Sequence, residues 1–379
     1  MVAATGKHTH RKAPFRQHEQ TVLVLQGGGA LGAYQAGVYE GLVEQGFEPD
    51  WVAGVSIGAV NAALIVGNPP ERRIERMAQF WDLVSSGSPL IPPASLDIFR
   101  PALNRLSAAS AATFGVPGLF IPRVQPPLLA PDGSIEALSI YDTSPLKSAL
   151  EELVDFDVIN RATVRLSLGA VKVRAGNSVY FDNSQSAIAP DHVMASAALP
   201  PGFPPVTIDG EAYWDGALVS NTPLWYVLDE SPRIDALILQ VDLFSAEGEM
   251  PRNLEEVLER AKDIQYSSKT RFNTTRVKEL DEMRATLARV LRKLPPELDS
   301  DADVQRLKAT SERRKITIAH LINRRYAHSA HSKDYDFSRA TVRELWASGL
   351  DDVRRTCAHP ELLKGTEFGH GVRVYDLAR

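Results

Sequence analysis

The chain reads as an α/β protein built in three layers around a mainly parallel sheet, and two strand-to-helix junctions near its start are the reason. Thr21-Val22-Leu23-Val24-Leu25 is apolar on both faces, as a central parallel strand is when helices cover it above and below. It runs through Gln26-Gly27-Gly28-Gly29-Ala30-Leu31-Gly32 into a stretch of helical character, Ala33 to Gln45. A second short run, Asp50-Trp51-Val52-Ala53, turns at Gly54-Val55-Ser56-Ile57-Gly58 into an uncharged helix, Ala59 to Val66. Strand, glycine turn and helix in succession is the pattern from which parallel sheets are assembled.

The first junction has the makings of an anion site. Glycines leave backbone N–H groups uncovered, and the following helix adds the positive end of its dipole, so a developing negative oxygen could be held by Gly28 and Gly29. The same letters satisfy G-x-G-x-x-G through Gly27, Gly29 and Gly32, the dinucleotide fingerprint. That reading needs an acidic residue at the end of the second strand. Asp50 precedes that strand, which ends instead in Gly54-Val55-Ser56.

The second junction has the layout of a nucleophile elbow, in which a strand bends sharply into a helix and leaves a serine Oγ exposed at the turn. Ser56 is the candidate nucleophile. Gly54 and Gly58 have a steric cause, because the two elements approach closely there. The segment Trp51 to Pro70 carries no charge, and Gly54 to Gly58 is also G-x-x-x-G, so a membrane helix competes. Asn61, Ser56 and three glycines within it, and Pro69-Pro70 near the minimum spanning length of about 20 residues, favour a buried strand and helix.

Farther along, Asp209-Gly210 supplies a hairpin turn between Val206-Thr207-Ile208 and Glu211-Ala212-Tyr213. Asp215, in Tyr213-Trp214-Asp215-Gly216-Ala217, is then left at a strand end, where a partly desolvated carboxylate could stand beside a hydroxyl.

Taken with Ala195-Ser196-Ala197-Ala198-Leu199-Pro200-Pro201-Gly202-Phe203-Pro204-Pro205-Val206 and Asn221-Thr222-Pro223, these motifs resemble, in order and spacing, the signature of patatin-like phospholipases. The resemblance covers roughly Thr21 to Phe244. It implies the three-layer patatin-like fold and a serine acyl hydrolase acting on lipid esters, with Ser56 as nucleophile, Asp215 as base and Gly27, Gly28 and Gly29 as the oxyanion loop. Gly54, Gly58 and Gly216 support the two catalytic positions. Leu31 stands where many members carry Arg or Lys, so no cation is implied beside the loop.

An aspartate of ordinary pKa, about 3.9, is a poor acceptor for a serine proton, so burial must raise its basicity or the proton must move as the acyl carbon is attacked. His192 is the only histidine inside the family-like region, and a Ser-His-Asp triad through it is the alternative. No cofactor enters either scheme. Cys357 is alone, and no His/Cys/Asp cluster has ligand spacing, so neither a disulfide nor a metal is indicated. A non-catalytic lipid-binding relative and a dinucleotide-binding oxidoreductase are the rival functions.

Three regions frame the catalytic one, taken as 21–245. Residues 1–20 are polar and basic with no apolar core, which argues against a secretory signal and for a disordered tail. Residues 89–131 hold nine prolines and four charges among scattered apolar side chains, a long apolar loop expected to cap Ser56 and offer an acyl groove, or else to pack in a subunit interface. Tyr141-Asp142-Thr143-Ser144-Pro145 predicts a helix start.

Residues 246–379 form a mostly helical extension of different charge: residues 251–379 hold 26 Lys+Arg against 20 Asp+Glu, where residues 1–250 hold 16 against 27. Asn253 and Glu256 resemble a capping box before Leu254, Val257, Leu258, Ala261 and Ile264. Leu280, Met283, Leu287, Val290, Leu291 and Leu294 form a second stripe bordered by Arg284, Arg289, Arg292 and Lys293. That stripe would lie on an anionic lipid surface or pack on the catalytic domain. Lys315 to Ile322 alternates like a strand added to the sheet's edge, and Ser338 caps a helix expected to end at Gly349. One free cysteine fits a cytoplasmic protein, peripheral to lipid if the basic stripe engages it. No nucleic-acid motif is visible, and the sequence leaves oligomerisation open.

Overall fold

The computed structural model describes residues 19–87, 100–230, 235–268, 270–311, 315–324, 333–358 and 371–376. Its strands are β1 (Gln20–Leu25), β2 (Trp51–Val55), β3 (Ile121–Pro122), β4 (Tyr141–Asp142), β5 (Arg165–Lys172), β6 (Ser178–Asp182), β7 (Val206–Ile208), β8 (Glu211–Asp215), β9 (Ala236–Asp242), β10 (Lys315–Ile322) and β11 (Gly371–Asp376). The α-helices are α1 (Ala33–Glu44), α2 (Ile57–Val66), α3 (Arg73–Val84), α4 (Arg100–Phe114), α5 (Ser144–Leu153), α6 (Phe156–Asn160), α7 (Pro190–Ser196), α8 (Leu224–Glu230), α9 (Leu254–Tyr266), α10 (Thr270–Leu291), α11 (Ala302–Ser311) and α12 (Arg339–Cys357).

One sheet dominates, in the order β11-β10-β9-β1-β2-β5-β8-β7, with β6 also pairing β5. From β11 to β5 every neighbour is parallel, and β6, β8 and β7 add an antiparallel corner. Parallel strands need both faces covered. Here Leu23, Leu25 and Val52 meet the α1, α2 and α3 side, whereas Val22, Val24, Trp51, Ile238 and Ile318 pack with Leu224 and Val227 of α8 on the other. Trp51 is fully buried, and its indole N–H donates to the Ser167 hydroxyl at 2.8 Å. The fold is therefore the expected α/β, three-layer, mostly parallel one.

The segment Trp51 to Val66 is a strand and a helix, and among the described residues no helix is long and apolar enough to cross a membrane. The expected basic tail lies outside the described residues apart from Glu19 and Gln20, and Gln20 already belongs to β1.

Several elements differ from the sequence reading. The loop expected over 89–131 contains a 15-residue helix, α4, with Pro101 in its first turn, where a missing N–H is harmless; residues 89–99 lie outside the described residues. α12 does not end at Gly349 but runs to Cys357, because that glycine is a packing residue: its Cα faces the Tyr34 carbonyl of α1. β10 is not at the sheet's edge. It pairs β9 on one side and β11 on the other.

The extension is thus built into the sheet, and α12 lies along α1. Gly37 admits the Trp346 backbone and Gly41 admits Val353, so the two helix backbones come close. The Tyr34 hydroxyl donates to Asp352 at 2.7 Å, and Arg354 pairs with Glu44 at 2.9 Å across the same seam. A methyl group at Gly37 would overlap the Trp346 carbonyl. Gly37→Ala should lower stability by about 3 kcal/mol through overpacking, read as a lowered urea midpoint with the slope unchanged.

Candidate active site

Ser56 sits between β2 and α2 with φ 57° and ψ −127°, a conformation that L side chains rarely adopt. The surroundings hold it there. Its N–H donates to the Ser196 carbonyl at 3.1 Å and to the Ser196 hydroxyl at 3.2 Å, and that hydroxyl donates onward to the Gly169 carbonyl at 2.6 Å. A Cβ at Gly54 would meet the Gly58 carbonyl, and one at Gly58 would meet those of Leu25 and Gln26. Strand, elbow and glycine loop are therefore in backbone contact.

The sheet register brings Asp215 to the same place. β5 lies between β2 and β8, with Val55 opposite Gly169 and Ala170 opposite Asp215. One segment clamps both positions, since the Ala198 carbonyl accepts the Asp215 N–H at 3.0 Å two residues after Ser196 holds Ser56. This gives the Ala195-to-Val206 motif a physical role that its letters did not reveal. Gly216 is required because a Cβ there would come within 2.6 Å of the Gly169 carbonyl.

Asp215 is wholly buried. Burial raises its carboxyl from the usual range to about 7, while hydrogen bonds from the Ala217 amide and the Ser56 hydroxyl to the charged form pull it down. The Ala217 N–H donates to Oδ1 at 2.8 Å. Oδ2 takes no hydrogen bond of standard geometry, although the Ser56 hydroxyl lies close enough to favour the charged form.

The glycine loop faces the elbow. Gly29 has φ 54°, which keeps it glycine, and the Asp334 carbonyl occupies the space where a Cβ would go. Of the three expected oxyanion glycines, Gly27 is corrected. Its amide donates to the Asn221 carbonyl at 3.1 Å and is spent. The Gly28 and Gly29 amides donate to no group among the described residues. Gln26 fixes the loop: its side-chain oxygen accepts the Leu243 and Phe244 amides at 2.6 and 2.9 Å, and its NH2 donates to Thr222 Oγ1 and the Tyr266 carbonyl.

In front of Ser56 opens a cavity of about 170 Å³. Val60, Leu119, Phe120, Tyr141, Leu146 and Phe203 make its apolar part, and Phe120, Tyr141 and Phe203 pack ring against ring. Gly27, Gly28, Gly29, Ser56 and Asn221 line its polar part, together with Lys262, Tyr266, Asp334 and Tyr335 of the extension. Lys262 is paired with Asp334 at 2.6 Å, so it brings no uncompensated charge.

The alternative base and the dinucleotide clamp find no support in this geometry. His192 lies on α7, where its Nδ1 accepts the Ala189 N–H at 2.9 Å and its ring packs edge-on against Phe181. Asp50 takes the Thr21 N–H and hydroxyl at 2.7 Å each, at the end of β1 remote from the glycine loop, and cannot clamp a ribose there. Among the described residues no three His, Cys, Asp or Glu side chains gather as metal ligands.

A serine on a strained strand-to-helix turn, a desolvated carboxylate and two amides without an acceptor among the described residues thus meet beside one cavity. The profile of the patatin-like phospholipase family matches residues 23–228, and the chain belongs to that family of lipid hydrolases. A second profile, DUF3734 (patatin phospholipase), matches residues 264–367, so the extension is itself a recurring unit. Among solved structures, VipD from Legionella pneumophila is similar with 14% identity and a TM-score of 0.39, covering 92% of this chain and 67% of its own. Human GIVD cytosolic phospholipase A2 is similar with 13% identity and a TM-score of 0.45, covering 92% of this chain and 60% of its own. No curated protein matches by sequence.

The raised pKa of Asp215 makes its ionised form a burden on the fold. Below the unfolded value of 3.8 the carboxyl is neutral in both states; as pH rises through about 7, the folded state alone must bear a buried charge, and stability is lost. Asp215→Asn should therefore be more stable than wild type at pH 8, by on the order of 1 to 4 kcal/mol, with the gain vanishing near pH 4. Urea melts at both pH values measure it.

Proposed function

We propose that the protein is a serine acyl hydrolase that cleaves carboxylic esters of lipids through Ser56 and Asp215. The observation that carries this reading is the buried Asp215 carboxyl, raised to about 7, beside a hydroxyl on a strained elbow at the wall of an apolar cavity. Asp215 accepts the Ser56 proton as Oγ attacks the ester carbon. The tetrahedral oxyanion is held by the Gly28 and Gly29 amides, each such donor being worth roughly 10²–10³ in rate. The proton passes from Asp215 to the leaving alcohol, and an acyl-enzyme remains on Ser56. Water, deprotonated by Asp215, then attacks the acyl carbon; the acyl–Oγ bond breaks, Asp215 returns the proton to the Ser56 Oγ, and the acid is released.

The apolar part of the cavity suits one acyl chain, with Leu119, Phe120 and Tyr141 supplied by the segment between α4 and α5. This gives the proline-rich region its proposed role as an acyl groove. Residues 21–245 form the proposed catalytic unit, and 246–379 close one wall of its cavity. The expected lipid contact through α10 is less favoured, because Leu291 is buried, Leu287 half-buried, and the helix packs against α11 and β11. The free Cys357 supports a reducing, cytoplasmic setting.

A fluorophosphonate probe should label the wild type and leave Ser56→Ala unlabelled, with Asp215→Asn slowed by about 10² or more. Labelling that persists in Ser56→Ala would move the active serine elsewhere, and a wild type that is never labelled would favour a non-catalytic relative. Because the base must be ionised, kcat/KM should fall as pH drops through about 7. Filling the groove with Leu119→Trp should lower kcat/KM for long-chain esters by roughly tenfold or more and leave short-chain esters nearly unchanged; equal losses would reject the groove.

A further inference from the structure

α9 is mounted inside out. A helix on a protein surface ordinarily turns its apolar stripe inward. In α9 the inward stripe is polar: Glu259 and Asp263 hold Lys333 at 3.2 and 2.6 Å, Lys262 pairs with Asp334, and Arg260 donates to the Ser245 carbonyl at 3.2 Å. The same side ends at Tyr266, whose carbonyl takes the Gln26 and Asn221 side chains at 3.0 and 2.8 Å. The outward stripe is Leu254, Val257, Leu258, Ala261 and Ile264, with Leu254 73% exposed and Ile264 54%. Met250, 86% exposed, precedes it.

We infer that this outward stripe docks on an uncharged or zwitterionic lipid surface and seats the catalytic cavity there. The choice of lipid rests on the acyl hydrolase reading, because the inner face of α9 walls the cavity through Lys262 and Tyr266. The stripe bears no charge, which fits apolar insertion rather than attraction to anionic headgroups. The segment that supplies Leu119, Phe120 and Tyr141 to the same cavity also exposes Ile121, Val124, Leu128 and Leu129. Exposed apolar side chains thus accompany both segments that line the cavity, as a lipid layer that supplies its substrate requires. The inward ion pairs keep the helix in place while its apolar side inserts.

The test uses full-length Ser56→Ala, so that no turnover is needed, and flotation with phosphatidylcholine vesicles. The protein should float with vesicles in both low and high salt, and Val257→Asp with Leu258→Asp should reduce the bound fraction by roughly tenfold or more. With Ser56 intact, the doubly substituted enzyme should hydrolyse a water-soluble short-chain ester at the wild-type rate, since neither residue lines the cavity. Unchanged vesicle binding would overturn the inference, as would a wild type that stays unbound. A wild-type dimer that the two substitutions dissociate would overturn it in favour of a protein interface. An unlabelled Ser56 would sink the hydrolase reading and leave the flotation result standing.

Discussion

A carboxylate buried without a cation governs this structure. Asp215 has no lysine, arginine or histidine among the causes of its shifted pKa; only the Ala217 amide and the Ser56 hydroxyl favour its charge against desolvation. Such a group is expensive for a fold to keep. Much of the surrounding architecture follows from holding it beside the elbow: β5 sets the register between β2 and β8, the Ser196-to-Ala198 segment clamps both backbones, and Gly216 lets its strand end approach β5. The same desolvation that weakens the fold raises the proton affinity of an ordinary aspartate toward neutral pH, which is what the proposed dyad requires. The strained Ser56 backbone adds a second local cost that the sheet must carry.

The parts of this site that lie in short, continuous sequence were legible. A strand running through glycines into a helix has few physical realisations, so Gly27 to Gly29 and the elbow at Ser56 could be read from letters alone. Asp215 was legible for a subtler reason, since Asp209-Gly210 had already taken the turn and left the second Asp-Gly at a strand end. What the letters could not separate was which glycine amides stay free. Gly27 loses its amide to the Asn221 carbonyl, a bond across 194 residues of sequence that no local pattern encodes. Ser196 was visible only as one residue of a motif, because its task depends on where two other strands end.

The extension was misjudged in a consistent way. Lys315 to Ile322 was correctly read as a strand and Ser338 as a cap, yet the strand sits one place inside the sheet and the helix passes through Gly349. No local signal marks β11, and Gly349 read locally is a stop signal. Both differences arise because residues 315–322 and 339–357 pack into the sheet and against α1 rather than forming an appendage. A glycine read locally ends a helix; a glycine facing Tyr34 of another helix is there so that two backbones can meet. The α4 helix was hidden for a related reason, its first-turn proline and many small residues giving neither a clear period nor a strong cap.

The stripe Leu254, Val257, Leu258, Ala261 and Ile264 shows how far periodicity can mislead about direction. Periodicity establishes that α9 has an apolar side, and the usual economy of folding turns that side inward. Here the polar side has the stronger claim on the interior. It supplies acceptors for Lys333, a donor for the Ser245 carbonyl and the terminal carbonyl that Gln26 and Asn221 require, while the cavity wall needs Lys262 and Tyr266. Each of these groups would be left unpaired if the helix rotated by half a turn, and an unpaired buried group costs about 1–3 kcal/mol. Burying four aliphatic side chains would return a comparable amount, about 1.5–3 kcal/mol each. The two orientations are therefore close enough in energy that the demands of the glycine loop decide between them, and the helix leaves its apolar side for another surface to cover.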